Sequence, residues 1–131
     1  MNVTTLRTTQ HAVTLSYCYK LVDVGVTAYN GAAGLLNSKA ILTAAAALHN
    51  VEAYHAGVLR SILNERKAVV LNGASIGTIV NAISALRDKL DGTASVQDAG
   101  ITSASMPLIL APADTNAFVY ARTAAQVGLC C

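Results

Sequence analysis

Val51-Glu52-Ala53-Tyr54-His55-Ala56-Gly57-Val58-Leu59-Arg60-Ser61-Ile62-Leu63 lies within a run from Ile41 to about Glu65 that holds no proline and one glycine, Gly57. Such a run predicts a long helix, with Ser38 placed where an N-cap belongs. Glu52 and His55 stand three positions apart. At that spacing a carboxylate and an imidazole leave one helix face and can share a metal ion. A carboxylate-bridged metal centre in a helical bundle uses this Glu-x-x-His pair twice, with a single Glu from each of two further helices. This chain carries the pair once. His49 precedes Glu52 by three, so His49, Glu52 and His55 drift by about 120° around the helix at 3.6 residues per turn.

Working outward, an earlier helix is expected from about Gln10 to Tyr29. Ala12, Leu15, Tyr19, Val22, Val26 and Tyr29 recur at three- and four-residue steps, the mark of a buried stripe. Asn30-Gly31 predicts its stop, because either residue tolerates the left-handed conformation that ends helices. In the second helix Ala44 to Ala47 combine high helix propensity with little bulk, which lets a neighbouring helix come close. Residues 10–65 thus form a helical hairpin.

After a loop at Asn72-Gly73, a third helix is expected over Ser75–Leu90. Ile76, Ile79, Val80, Ile83 and Leu86 or Leu90 form its apolar face, Arg87-Asp88-Lys89 its solvent-facing end, and Asp91-Gly92 its close. Gly92, Gly100, Pro107 and Pro112 make 92–116 irregular. A short C-terminal helix begins at Thr123, whose hydroxyl caps it. No strand pair and no internal repeat is evident. The reading is a single all-α domain over 1–131, with the hairpin at 10–65, a loop and helix at 66–92, and an irregular segment with a short helix at 93–131.

Composition excludes several functions. The 131 residues are 53% hydrophobic and 12% charged, with a net charge of +2, one Phe and no Trp, and mean hydropathy is +0.47. Lys and Arg are scattered, so no nucleic-acid surface is expected. The uncharged run Ala68–Leu86 approaches bilayer length, but Asn72, Gly73, Ser75, Gly77, Thr78 and Asn81 interrupt it, so no membrane span is expected. The first twenty residues lack the order of a secretory signal, and the Asn2-Val3-Thr4 sequon reads as chance. Cys18, Cys130 and Cys131 make an odd set without metal spacing and read as free thiols. No nucleophile–base pair, phosphate-binding glycine loop or acid–base carboxylate pair is present.

Leu21-Val22-Asp23-Val24-Gly25-Val26-Thr27-Ala28-Tyr29-Asn30-Gly31-Ala32 and Val51-Glu52-Ala53-Tyr54-His55-Ala56-Gly57 resemble the ferritin-like desiccation-related proteins of plants, algae, fungi and bacteria. Ile83-Ser84-Ala85-Leu86-Arg87-Asp88-Lys89-Leu90-Asp91-Gly92 and Ala121-Arg122-Thr123-Ala124-Ala125-Gln126-Val127 continue the resemblance in order, over roughly 15–128. It implies a partial ferritin-like bundle, truncated to the C-terminal part of the family's domain, without the two helices that bring a Glu and the first Glu-x-x-His. The family's Glu before Asp-Val-Gly-Val is Val22 here. Of the implied ligands, Glu52 and His55 keep their positions.

The functional expectation follows. Glu52 and His55 are half of a metal site for Fe, Mn or Zn, with His49 as an outlying third candidate. Asp23, about 100° around the helix from the lost ligand position, is not promoted to a ligand. Tyr19, Tyr29 and Tyr54 read as core tyrosines with hydroxyls reaching a partner. The third helix and Leu108-Ile109-Leu110 cover part of the hairpin. Its inner side near Tyr29 and Glu52 is expected to need another protein. The leading expectation is a non-catalytic protein without a cofactor, acting by protein–protein packing as a homodimer or an accessory subunit. The alternative is a metal-binding bundle completed by dimerisation, with weak oxidoreductase activity.

Overall fold

A computed structural model describes residues 3–92 and 98–130, with side chains from residue 14 onward. The elements are α1 (Val3–Ala32), a 3-10 turn (Ala33–Leu35), α2 (Lys39–Glu65), β1 (Val70–Leu71), β2 (Ala74–Ser75), α3 (Ile76–Leu90) and α4 (Ala124–Cys130). The architecture is all-α, a long hairpin of α1 and α2 with α3 and α4 against it. Asn2 and Cys131 lie outside the described residues. No described helix is long and apolar enough to cross a membrane.

The helix starts follow local chemistry. Ser38 Oγ accepts from the Ile41 N–H at 3.4 Å, and Ser75 Oγ from the Thr78 N–H at 3.2 Å. Before α4, Thr123 and Gln126 form a reciprocal capping box. The Thr123 N–H donates to Gln126 Oε1 at 2.9 Å, and the Gln126 N–H donates to Thr123 Oγ1 at 3.3 Å.

Expectations about a helix end and about strands needed correction. Helix α1 runs past Asn30-Gly31, because neither residue is spent on a stop. Asn30 Nδ2 donates to the carbonyls of Val119 (2.8 Å) and Tyr120 (3.3 Å). Gly31 lies under the Arg122 carbonyl, where any Cβ would collide. The second correction concerns strands. Val70 pairs with Ser75 and Leu71 with Ala74 in a minimal hairpin. Its turn has Asn72 at φ 49 and Gly73 at φ 86, the two positive values a type I′ turn requires. Strands of two residues are too short to show alternation.

The apolar core sits at one end of the hairpin, where Tyr19, Leu63, Leu71, Ile76, Val80 and Ile101 are buried and Leu15, Val69, Ile79 and Ile83 pack against them. The irregular segment 98–122 then crosses the hairpin. The Ile109 N–H to Ile101 carbonyl bond (2.8 Å) folds it back on itself, and the Arg122 N–H to Thr27 carbonyl bond (3.0 Å) pins it to α1. This covers part of the inner side that was expected to be bare. Leu110, Ala111, Pro112 and Val119 lie over Asp23, Val26 and Thr27 of α1 and Ala53 and Ala56 of α2, leaving a gap of about 40 Å³. The physical reason is polar as well as apolar: the segment's carbonyls satisfy groups that the hairpin buries.

Candidate functional site

Arg60, Arg87 and Arg122 are the largest fully buried side chains among the described residues. Each needs a counter-charge, since an unpaired buried cation costs far more than folding can supply. Asp23 of α1 meets Arg60 Nη2 at 2.6 Å and Arg87 Nη2 at 3.0 Å. Asp98 takes Arg87 Nη2 at 3.2 Å and also binds Arg122. Arg122 Nη2 reaches Asp91 at 3.2 Å. The charges therefore alternate along a chain, Arg60–Asp23–Arg87–Asp98–Arg122–Asp91, and cancel. It links α1, α2, α3 and the 98–122 segment through groups that are all under 6% exposed.

Most of the remaining donors are also used. Arg60 Nη1 donates to the carbonyls of Gly100 (2.9 Å) and Ile109 (3.2 Å), and Nη2 to that of Ala99 (3.1 Å). Arg122 Nη1 donates to Thr27 Oγ1 at 2.8 Å. Arg122 Nε is buried without a partner. The Tyr19 ring lies 5.1 Å from the Arg60 guanidinium and 5.0 Å from that of Arg87, within cation–π range. Its hydroxyl is 2.7 Å from Ser84 Oγ and donates to the Ala99 carbonyl at 3.3 Å.

The electrostatics follow from burial. Burial raises the Tyr19 phenol above its ordinary value and Asp23 adds to the rise, while Arg60 and Arg87 pull against it. Burial works against the Arg87 charge, yet Asp23 and Asp98 outweigh it and hold the guanidinium more firmly protonated. For Asp98, burial pushes the carboxyl up and Arg87 and Arg122 pull it back only in part. Asp23 has both oxygens committed to guanidinium groups, so it has little to offer a metal or a substrate. The arrangement clamps four pieces of chain.

None of these pairings was anticipated from the sequence. Arg87 was expected at a wet helix end and is 1% exposed. A signal was present, however. Arg87 falls in register with Ile76, Val80 and Ser84 on the buried side of α3, and Arg60 with Ala56 and Leu63 on α2. A cation inside an apolar stripe announces a buried partner. Asp98 and Asp91, in irregular chain, carry no such mark.

Glu52, His55 and His49 fall differently. The side of α2 that turns inward runs Ala45, His49, Glu52, Ala56, Arg60, Leu63 and passes from half-buried to buried. His49 and Glu52 lie on it, both half-buried, and His49 Nε2 is buried with no hydrogen-bond partner. His55 lies off it and is exposed. Tyr54, expected in the core, is 77% exposed. Among the described residues, Asp88, Asp91 and Asp98 are the trio whose potential ligand atoms lie within 4.8 Å of one another. Asp91 and Asp98 there already face Arg122.

A second apolar stripe runs along the outside of α2. Ile41, Ala44, Leu48, Val51, His55, Val58 and Ile62 follow alternating three- and four-residue steps, the spacing of a coiled-coil seam. All but Ile62 are exposed, Ile41 at 57%, Leu48 at 54%, Val51 at 51% and Val58 at 58%.

The comparisons with known proteins point to the same two helices. Residues 2–65 match the family model of the ferritin-like domain. That span ends with α2, so the ferritin-like part of the chain is the hairpin that carries His49, Glu52, His55, Asp23 and Arg60. With α3, α4 and segment 98–122 added, the fold is an all-α, partial ferritin-like bundle. No curated protein and no solved structure matches the chain.

Proposed function

We propose that this ferritin-like chain is a non-catalytic packing protein of the desiccation-related kind its sequence resembles, acting through the outer face of α2. The observation that carries the reading is the exposed seam Ile41–Ala44–Leu48–Val51–His55–Val58. Exposed apolar residues scattered singly need no explanation, but a contiguous row in coiled-coil register does. Another helix is the occupant such a row fits, from a second copy or from a larger assembly in which this chain is an accessory subunit. The buried Arg–Asp chain supports the same reading, because it fills the hairpin's interior with mutually satisfied charges. Light scattering on the purified chain tests it directly. A dimer or larger assembly that Leu48→Glu splits into folded monomers is the expected result for a homotypic seam. A wild-type monomer that recovers no helical partner from its native complex removes the reading.

A second reading is favoured by one observation, the unpartnered His49 Nε2 on the same stripe as Glu52. Carboxylate oxygen and imidazole nitrogen suit Fe, Mn or Zn, and a metal site takes about four ligands. One chain offers at most His49, Glu52 and His55, with Asp23 occupied, so the set fits a metal only where two copies meet. There the residues would hold the ion and weak oxidoreductase chemistry would come from it. Metal analysis with Glu52→Ala and His55→Ala controls separates the readings.

A further inference from the structure

A cavity of about 510 Å³ opens between α1, the β1–β2 turn and α3, and none of its described lining residues lies on α2. Small-molecule sites are commonly about 300–1,000 Å³ and mostly apolar, with a few polar groups that set orientation. This one has that division. Its inner wall is Leu71, 5% exposed, with the half-buried Ile79 and Ile83. Its outer rim carries the Tyr17 side chain, the half-buried Lys20 and the exposed amide of Asn72. Lys20 is the one charged residue among the described residues that line it, and no carboxylate accompanies it.

That asymmetry selects a ligand class. An apolar body gains by reaching Leu71, Ile79 and Ile83. An anionic end gains from Lys20 and from donors on Tyr17 and Asn72. A cationic end would find a like charge and no counter-ion. We propose that this cavity binds a single-chain carboxylate amphiphile of the free fatty-acid type, head at Lys20 and chain against the α3 wall.

The test uses the full chain and dodecanoate, with binding read by calorimetry. Saturable one-to-one binding is expected, tightening about fourfold with each methylene that the apolar wall covers and levelling once the cavity is full. Lys20→Met keeps the stem and removes the charge. It should weaken dodecanoate about tenfold and leave dodecanol unchanged. Ala74→Trp, at a lining position, should abolish binding of both. Val51→Glu, on the outer face of α2, should change neither, which separates this site from the proposed protein seam. Three results would each overturn the proposal. They are no saturable dodecanoate binding by the wild type, equal affinity for dodecyltrimethylammonium, and wild-type affinity in a Lys20→Met protein with an unchanged melt.

Discussion

Arg60 grips Asp23 with two arms of its guanidinium, Nε on Oδ1 at 3.3 Å and Nη2 on Oδ2 at 2.6 Å, across 37 residues of chain. Both side chains are almost wholly excluded from solvent, so the pair ties α1 to α2 where neither can fall back on water. Removing one partner leaves a buried charge short of its complement. Arg60→Met is expected to destabilise the fold by about 3–5 kcal/mol, as breaking buried pairs does. The double change Asp23→Leu with Arg60→Met should cost clearly less than the two single changes added. Urea denaturation of the three variants measures the coupling, and strict additivity would show that the pair is not a unit.

Tyr19 sets an alkaline limit. Its folded pKa lies above the ordinary value of 10.0, chiefly through burial. As pH rises past about 10, the unfolded chain loses this proton first, so the folded state binds more protons there and stability falls with pH. Below that range the contribution is fully present. Tyr19→Phe lacks this component. It should start less stable by about 1 kcal/mol through the lost hydroxyl bonds, yet decline less steeply between about pH 9 and pH 11. Thermal melts across that range decide it. Parallel slopes would assign the alkaline loss to other groups.

Gly31 and Gly34 make an internal control. A Cβ on Gly31 would enter the Arg122 backbone, whereas one on Gly34 meets nothing within 4 Å. Gly31→Ala is expected to cost about 1–3 kcal/mol by forcing the 119–122 crossing off α1. Gly34→Ala should stay within about 0.5 kcal/mol of wild type. Chemical denaturation of the two variants should rank them in that order.

The α2 seam makes a prediction about assembly rather than stability. Val51 is 51% exposed, so Val51→Glu should change the monomer's stability by less than about 0.5 kcal/mol. The same change should break a homotypic assembly, because it places like charges in an apolar seam. Sedimentation velocity before and after substitution reads this directly. Loss of fold together with assembly would mean that Val51 belongs to the core.

For metal, the packing reading expects purified protein to carry no stoichiometric Fe, Mn or Zn, and a chelator to leave its melting temperature unchanged. Stoichiometric metal that disappears in both Glu52→Ala and His55→Ala would favour the second reading. Elemental analysis by mass spectrometry is sufficient.

Local chemistry made the helices legible. Ser38, Ser75 and Thr123 cap where short polar residues precede helical runs, and the apolar periodicity of α3 marks its buried side. The outer seam of α2 was present in the same periodicity, interleaved with the inner stripe, and the Glu52–His55 spacing straddles the two. The β1–β2 turn was marked only by Asn72-Gly73, because two-residue strands leave no alternation.

By itself the sequence determined three main helices, a short fourth and a helical hairpin, because capping and apolar periodicity act over neighbouring residues. Tertiary structure alone decided that Arg60, Asp23, Arg87, Asp98, Arg122 and Asp91 form one buried chain of charges. It also decided that residues 110–119 lie over the stretch of the hairpin between Asp23–Thr27 and Ala53–Ala56. Charge pairing across tens of residues depends on where the backbone brings side chains together. An aspartate in an irregular loop carries no local trace of the arginine it will meet.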